Sequence, residues 1–180
     1  MKIAVFGGSF DPPHTAHVAI VKEALRKLDI DLLIVVPTYL NPFKKSFAAP
    51  PKLRLRWLKK IFMPFQKVRI CDFEIRQGRP TYAIETVEYL KKRYAPQKIY
   101  YLIGSDNLAS LHRWYKFKKL NKEVEFVVFT RRGYKVKGKK YKTLQLDVPI
   151  SSTELRAHPK QRFLPKIVAQ EIIRFYAKKL

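Results

Sequence analysis

The sequence predicts an α/β fold: a doubly wound parallel sheet with helices on both faces, in a single domain spanning residues 1–180. Three observations predict it. Short apolar runs rich in β-branched residues (Ile3–Phe6, Asp31–Pro37, Ile99–Ile103, Val124–Phe129) alternate with stretches of helical apolar spacing. Asp31–Pro37 is apolar almost throughout, as a strand buried on both faces of a parallel sheet is. A length of 180 residues, 47% of them apolar, suits one domain with a sizeable core.

Taken in order, Ile3–Phe6 reads as a buried strand, and Gly7-Gly8 follows at once. Adjacent glycines let the chain turn sharply and leave no Cβ between backbone and a bound group. Asp11-Pro12-Pro13 breaks regular structure, and from His14 the spacing turns helical, with Val18, Val21, Leu25 and Leu28 on one face. Asp31–Pro37 is the second strand, Thr38–Pro51 a proline-bearing loop, and Lys52–Phe62 a helix showing Leu55, Leu58 and Phe62 on one side. Lys67–Cys71 is a short strand and Asp72–Pro80 a loop. Thr81–Tyr94 is a helix with Thr81 placed to cap it and Ala83, Val87, Leu90 and Tyr94 as its buried stripe. Ile99–Ile103 is a strand, Leu108–Leu120 one or two short helices, and Val124–Phe129 a strand. Arg131–Lys142, with seven basic residues and no acidic one, is an exposed loop, and Thr143–Leu146 a short strand. Ser151-Ser152-Thr153-Glu154 has the capping-box spacing, and Pro165–Lys179 is a last helix with proline at its first position.

In such sheets ligands sit outside the carboxyl ends of the strands. Gly7–His17, Pro37–Lys44, Gly104–Asp106 and Thr130–Gly133 all follow strand ends, so the polar loops converge on one edge. A strand, a glycine turn and a helix start in that order aim backbone N–H groups at a site suited to phosphate. Two of the four histidines, His14 and His17, are three apart and share one side of the first helical turn.

GGSFDPPH with a second histidine three residues on resembles the nucleotidylyltransferase superfamily, whose signature is a glycine turn followed by H-x-G-H. The SFDPPH form is most similar to bacterial nicotinate-nucleotide adenylyltransferases, a Rossmann-like family. Four further blocks in the right order carry the resemblance. Pro37–Lys45 is similar to the family's P-x-x-x-P-P-H-K loop, Arg79–Thr86 to P-S-Y-T-x-x-T, Gly104–Asp106 with Trp114-Tyr115 to G-x-D … W-Y, and Ile150–Arg156 to I-S-S-T-x-I-R. Two departures stand out: Ala16 replaces the signature's second glycine, and Phe43 replaces the loop's histidine.

The resemblance implies adenylyl transfer from ATP to nicotinate mononucleotide, with Mg²⁺ carried by the ATP and no metal held by protein side chains. It implies His14, His17 and Arg156 as catalytic residues. ATP would meet Gly7, Gly8, Ser9, Phe10, His17, Arg131, Ser151, Ser152, Thr153 and Arg156. The mononucleotide would meet Lys44, Thr81, Tyr82, Thr86, Asp106 and Trp114, the last by stacking on the pyridinium ring. Several of these residues also have a plain structural reading: Thr81 and Ser151 as helix caps, Trp114 as core, Lys44 as a solvated lysine.

Two rivals remain from the residues alone. One is a sister enzyme with another phosphorylated acceptor, such as phosphopantetheine. The other is an RNA-binding module using the Arg131–Lys142 loop, suggested by a net charge of +24. Nucleic acid and membrane are not the expected partners, and the oligomeric state stays open. No apolar stretch is long enough to span a bilayer, the N-terminus reads as a strand rather than a signal peptide, and the lone Cys71 has no internal disulfide partner. These point to the cytoplasm.

Overall fold

The computed structural model describes residues 1–130, 136, 138, 140–146 and 150–179. Among these residues the sheet has six strands, β1 (Lys2–Gly8), β2 (Leu32–Pro37), β3 (Val68–Ile70), β4 (Lys98–Gly104), β5 (Glu125–Thr130) and β6 (Lys142–Gln145). They lie in the order β3-β2-β1-β4-β5-β6, every neighbouring pair parallel. The chain adds strands outward from β1 on one side, then crosses back to begin at β4 on the other. The crevice between β1 and β4 at their carboxyl ends is therefore the switch point where such folds bind ligands.

The helices are α1 (Thr15–Lys27), α2 (Pro51–Phe62), α3 (Phe73–Gln77), α4 (Ala83–Tyr94), α5 (Phe117–Glu123), α6 (Ser152–Ala157) and α7 (Ala169–Ala177). Side chains alternate across a strand, so β1 feeds two cores. Ala4 and Phe6 pack with Ile20, Trp57 and Ile172 of α1, α2 and α7. Ile3 and Val5 pack with Ile84, Val87 and Leu120 of α4 and α5.

Several elements differ from expectation. Helix α3 occupies part of the 72–80 loop; it has five residues, too few for a periodic signal, and ends at Gly78 with φ 64°. Helix α4 begins at Ala83, with Tyr82 and not Thr81 in the capping position: the Glu85 carboxylate accepts from Tyr82 N–H at 2.8 Å. Pro165 does not open α7; its carbonyl accepts from Val168 N–H in a preceding turn. In α1 the fully buried positions are His17, Ile20, Val21 and Ala24, with Val18 and Leu25 only partly covered, because the histidine face turns inward. In α2 Arg54 and Trp57 lie on the buried face beside Leu58 and Phe62. The strand expected at 143–146 runs from Lys142 to Gln145. Most of the basic loop expected at 131–142 lies outside the described residues.

Candidate active site

The glycine turn is built differently from the sequence reading. Neither Gly7 nor Gly8 has a positive φ; both end β1, and the left-handed residue is Phe10, at φ 49°. The glycines are needed for room. A Cβ on Gly7 would stand 3.3 Å from the Tyr101 hydroxyl, and one on Gly8 would stand 3.2 Å from the Phe10 ring. That ring is buried edge-on against Phe6 and His17, so only the backbone of Phe10 is left to meet a nucleotide.

His14 caps α1. Its Nδ1 accepts from Ala16 N–H at 3.2 Å, and His17 Nδ1 accepts from His14 N–H at 3.1 Å. The two rings stack at 3.7 Å. An Nδ1 that accepts a backbone hydrogen bond carries no proton in the neutral ring, so each imidazole bears its proton on Nε2. Both rings are over nine-tenths buried, so the pair is part of the fold as well as of the site. Together with Ala16, Phe129, Thr130 and Ile150 they line a hollow. Thr130 and Ile150 directly precede Arg131 and Ser151; Arg131 itself lies outside the described residues.

The next residues converge on Ser9–Pro12. The Arg156 guanidinium donates to the Asp11 carbonyl at 2.7 Å and to Thr153 Oγ1 at 3.2 Å. The Ser152 hydroxyl donates to the Pro12 carbonyl at 3.0 Å. Ser151 closes the expected capping box, its Oγ accepting from Glu154 N–H and its own N–H donating to the Glu154 carboxylate. Lys44 Nζ donates to Ser9 Oγ at 3.3 Å. Partial desolvation, and then the nearby Arg156, hold the Lys44 ammonium below its ordinary range. Two cations crowded over one loop are what an anion would relieve.

Two residues that the sequence reading missed hold this loop. The Asp11 carboxylate accepts from the N–H groups of Ala48 (2.7 Å) and Ala49 (2.9 Å) and from the Tyr176 hydroxyl of α7. Buried Arg54 donates to the carbonyls of Ser9 (2.6 Å), Ala49 (2.9 Å) and Tyr39 (2.9 Å). Its placement among the apolar positions of α2 was the one available signal: an arginine at a core position needs such partners.

The second cluster lies across β1. Tyr82, exposed at the start of α4, packs its ring on Tyr115 at 4.5 Å, which brings that helix start beside the 114–115 segment. Trp114 is half-buried, its indole edge-on to Tyr101 (6.2 Å) and Phe126 (6.4 Å), so the core reading holds for part of the ring. The Asp106 carboxylate folds back over the end of β4, where a Cβ on Gly104 would meet its Oδ1 at 2.4 Å. Thr81 is buried, its hydroxyl donating to the Arg79 carbonyl at 3.3 Å. Thr86 is fully enclosed and commits its hydroxyl to Glu74, at 2.6 Å, so its side chain is not presented to the crevice. Among the described residues, three buried polar atoms lack a hydrogen-bond partner: Thr38 Oγ1, Ser105 Oγ and Trp114 Nε1. Thr38 and Ser105 follow the ends of β2 and β4, on either side of Gly8. Unpaired buried donors cost stability, and they cluster where ligands bind.

A cytidylyltransferase-like family model matches residues 5–158. The "Probable nicotinate-nucleotide adenylyltransferase" of a Nitratiruptor species is 68% identical over 176 residues, 98% of this chain and 99% of its own length. The chain belongs to the nicotinate-nucleotide adenylyltransferase family. The protein of the same name from Aliarcobacter butzleri is 52% identical over 174 residues, 96% of each chain. Among solved structures, a Plasmodium falciparum nicotinic acid mononucleotide adenylyltransferase complexed with NaAD superimposes with a TM-score of 0.79 over 98% of this chain and 97% of that one. At 22% identity that match speaks for the fold.

The two departures from the adenylyltransferase pattern fall at different depths. Ala16 borders the histidine hollow, and its N–H donates to His14 Nδ1. The Phe43 ring is exposed on the loop after β2, its N–H held by Asn41 Oδ1 at 2.8 Å.

Proposed function

We infer that the chain carries the activity of its family: it transfers the adenylyl group of ATP to nicotinate mononucleotide, giving nicotinate adenine dinucleotide and pyrophosphate. A 5′-phosphate oxygen of the mononucleotide attacks the α-phosphorus of ATP. The bond from that phosphorus to the bridging oxygen breaks in line, and pyrophosphate leaves with the electron pair. No protein atom becomes covalently attached, so catalysis is positioning plus relief of negative charge.

The observation that carries this reading is the stacked His14–His17 pair, both Nδ1 atoms engaged by backbone N–H groups. In the neutral form each ring then carries its proton on Nε2. We assign His17 to the α-phosphate and His14 beside it. Arg156, already aimed by Asp11 and Thr153, and Lys44, beside Ser9, take the charge of the flanking phosphates. Since the hydroxyls of Ser151 and Ser152 are engaged within the protein, that segment offers the triphosphate its backbone N–H groups. The resemblance also implies Arg131 for ATP. The mononucleotide lies over Trp114, with its carboxylate at the start of α4 and its ribose toward Asp106.

Mg²⁺ enters with ATP. Among the described residues no three His, Cys, Asp or Glu side chains converge to hold a metal ion. Asp11, within the Ser9–Pro12 loop, has both carboxylate oxygens engaged. No helix of the described residues is long and apolar enough to cross a membrane. We place the activity in the cytoplasm, a reducing compartment that suits the free thiol of Cys71.

The test is incubation with ATP, Mg²⁺ and nicotinate mononucleotide, the product read by mass. Deamido-dinucleotide and pyrophosphate in equal amounts are expected. Transfer to phosphopantetheine instead, or no transfer together with salt-sensitive RNA binding, would replace this reading.

A further inference from the structure

Glu74 is a buried ionisable group with no part in the chemistry above. It sits in α3 with 4% of its surface exposed, and its Oε1 accepts from Thr86 Oγ1 at 2.6 Å. Thr86 lies four residues after Tyr82, so the carboxyl group is beneath the opening turns of α4. Tyr101 of β4 lies close enough to feel its charge, and the same ring is edge-on to Trp114 with its hydroxyl under Gly7. Glu74, Thr86 and Tyr101 thus form a polar floor where the start of α4, Trp114 and the end of β1 meet.

The charged and titratable groups facing Glu74 are few. Glu85 acts on it from α4 and Tyr101 from β4. The adjoining strand β2, Leu32–Pro37, carries no ionisable side chain. On its own helix, Arg76 pairs with Asp72 at the surface. Among the described residues no cation pairs with Glu74.

We propose that Glu74 is a specificity-determining residue, whose charge beneath α4 sets how strongly the site prefers the acid mononucleotide over the amide. The proposal rests on the functional reading above, in which the pyridine carboxylate lies at the start of α4. An ionised Glu74 opposes that carboxylate across the low-dielectric helix start. A protonated Glu74 does not, and the neutral amide is indifferent to either state. Burial pushes the Glu74 carboxyl up to about 7, against the pull of the Thr86 hydrogen bond. The group is therefore neutral below that pH and charged above it, and preference for the acid falls as pH rises through the neutral range. The mononucleotide phosphate titrates alike in both ligands and cancels in their ratio.

The experiment is calorimetric titration of the full chain with nicotinate mononucleotide and with nicotinamide mononucleotide between about pH 6 and 8.5. We expect Kd(amide)/Kd(acid) to fall about tenfold across that range, a like-charge repulsion of roughly 1.4 kcal/mol. Glu74→Gln should hold the ratio flat at its low-pH value. Thr86→Val removes the bond that favours the charged form, so the ratio should still fall but with a higher midpoint. A ratio that is flat in the unaltered protein, or that still falls in Glu74→Gln, overturns the proposal. Should Glu74→Gln not fold, a Thr86→Val midpoint that is unmoved or lower overturns it. Failure of both mononucleotides to bind overturns the functional reading and this proposal with it, whereas binding with a flat ratio overturns this proposal alone.

Discussion

On the α2–α7 side of β1 the site is tied together by bonds between residues far apart in the chain. Tyr176 reaches Asp11 across 165 positions, Arg156 reaches Asp11 across 145, and Ser152 reaches Pro12 across 140. On the α4 side the bonds are local: Glu85 to Tyr82 over three positions, Arg79 to Glu85 over six, Thr86 to Glu74 over twelve. The first side is assembled only when the whole chain has folded, and every oxygen of Asp11 is then engaged. The second keeps the unpartnered Ser105 hydroxyl, the unpartnered Trp114 indole N–H and an exposed tyrosine pair. Rigid positioning suits a triphosphate whose reacting atom must be held in line. A partly unsatisfied surface suits a ligand that completes the hydrogen bonding on arrival. The difference assigns stability to one side and substrate choice to the other.

Arg54 gives the largest expected break in that contrast. Arg54→Met keeps most of the volume but leaves the carbonyls of Ser9, Ala49 and Tyr39 without their donor. A buried polar group left unpaired costs about 1–3 kcal/mol, and three cost roughly 3–5 kcal/mol after relaxation. Urea unfolding should show that loss, and KM for ATP should rise much more than KM for nicotinate mononucleotide. Equal effects on both substrates would mean that the two sides are not built separately.

His17 tests chemistry apart from assembly. His17→Asn retains an acceptor able to take the His14 N–H while removing the Nε2–H, so kcat should fall roughly 10²-fold, the scale of losing one transition-state donor. The smaller side chain beside Phe6 and Phe10 costs about 1–2 kcal/mol. His17→Ala also orphans the His14 N–H and should cost about 1–3 kcal/mol more. Denaturation of both variants alongside single-turnover rates separates the terms. Unchanged kcat in His17→Asn would remove His17 from the reacting centre.

The same contrast explains what could be read from the sequence. Strand runs and the parallel sheet are legible because apolar runs and their alternation with helical spacing are local signals, and the loops at strand ends follow from them. The phosphate-side motifs were legible as residue types, yet the bonds that aim them were not. Asp11 looked like a turn residue, and nothing near it in sequence points to Tyr176. The motif places Phe10 at ATP, whereas its ring fills core space. The glycines do leave room, but for Tyr101 and Phe10 rather than for a sharp turn. Thr86 matched its motif, but its partner Glu74 lies on a helix of five residues, too short to announce which side it buries.

Lys44 should give the smallest effect, and it tests to which side its loop belongs. The resemblance implies a place on the mononucleotide, while its hydrogen bond to Ser9 and the repulsion it feels from Arg156 put it over the glycine turn. Its ammonium is held below the ordinary lysine range, by desolvation first and Arg156 second, with Asp11 opposing. A depressed lysine pKa means that the folded state penalises the charged form. The penalty is full at neutral pH and is lost as pH rises from the depressed value to the ordinary one. Lys44→Met should therefore leave the thermal midpoint unchanged or slightly raised at pH 7. A phosphate bound nearby restores the charge, so binding takes up a proton in the alkaline window between the depressed pKa and the ordinary one. Affinity for that ligand should fall as pH rises through this window, and Lys44→Met should weaken it severalfold at pH 7 while erasing the alkaline fall. Calorimetry with each substrate from about pH 7 to 10 shows which ligand carries the effect. If it is ATP, Lys44 belongs with Arg156 on the assembled side, and if it is the mononucleotide, the loop after β2 spans both. An alkaline fall that persists in Lys44→Met for both ligands would mean that another group is titrating.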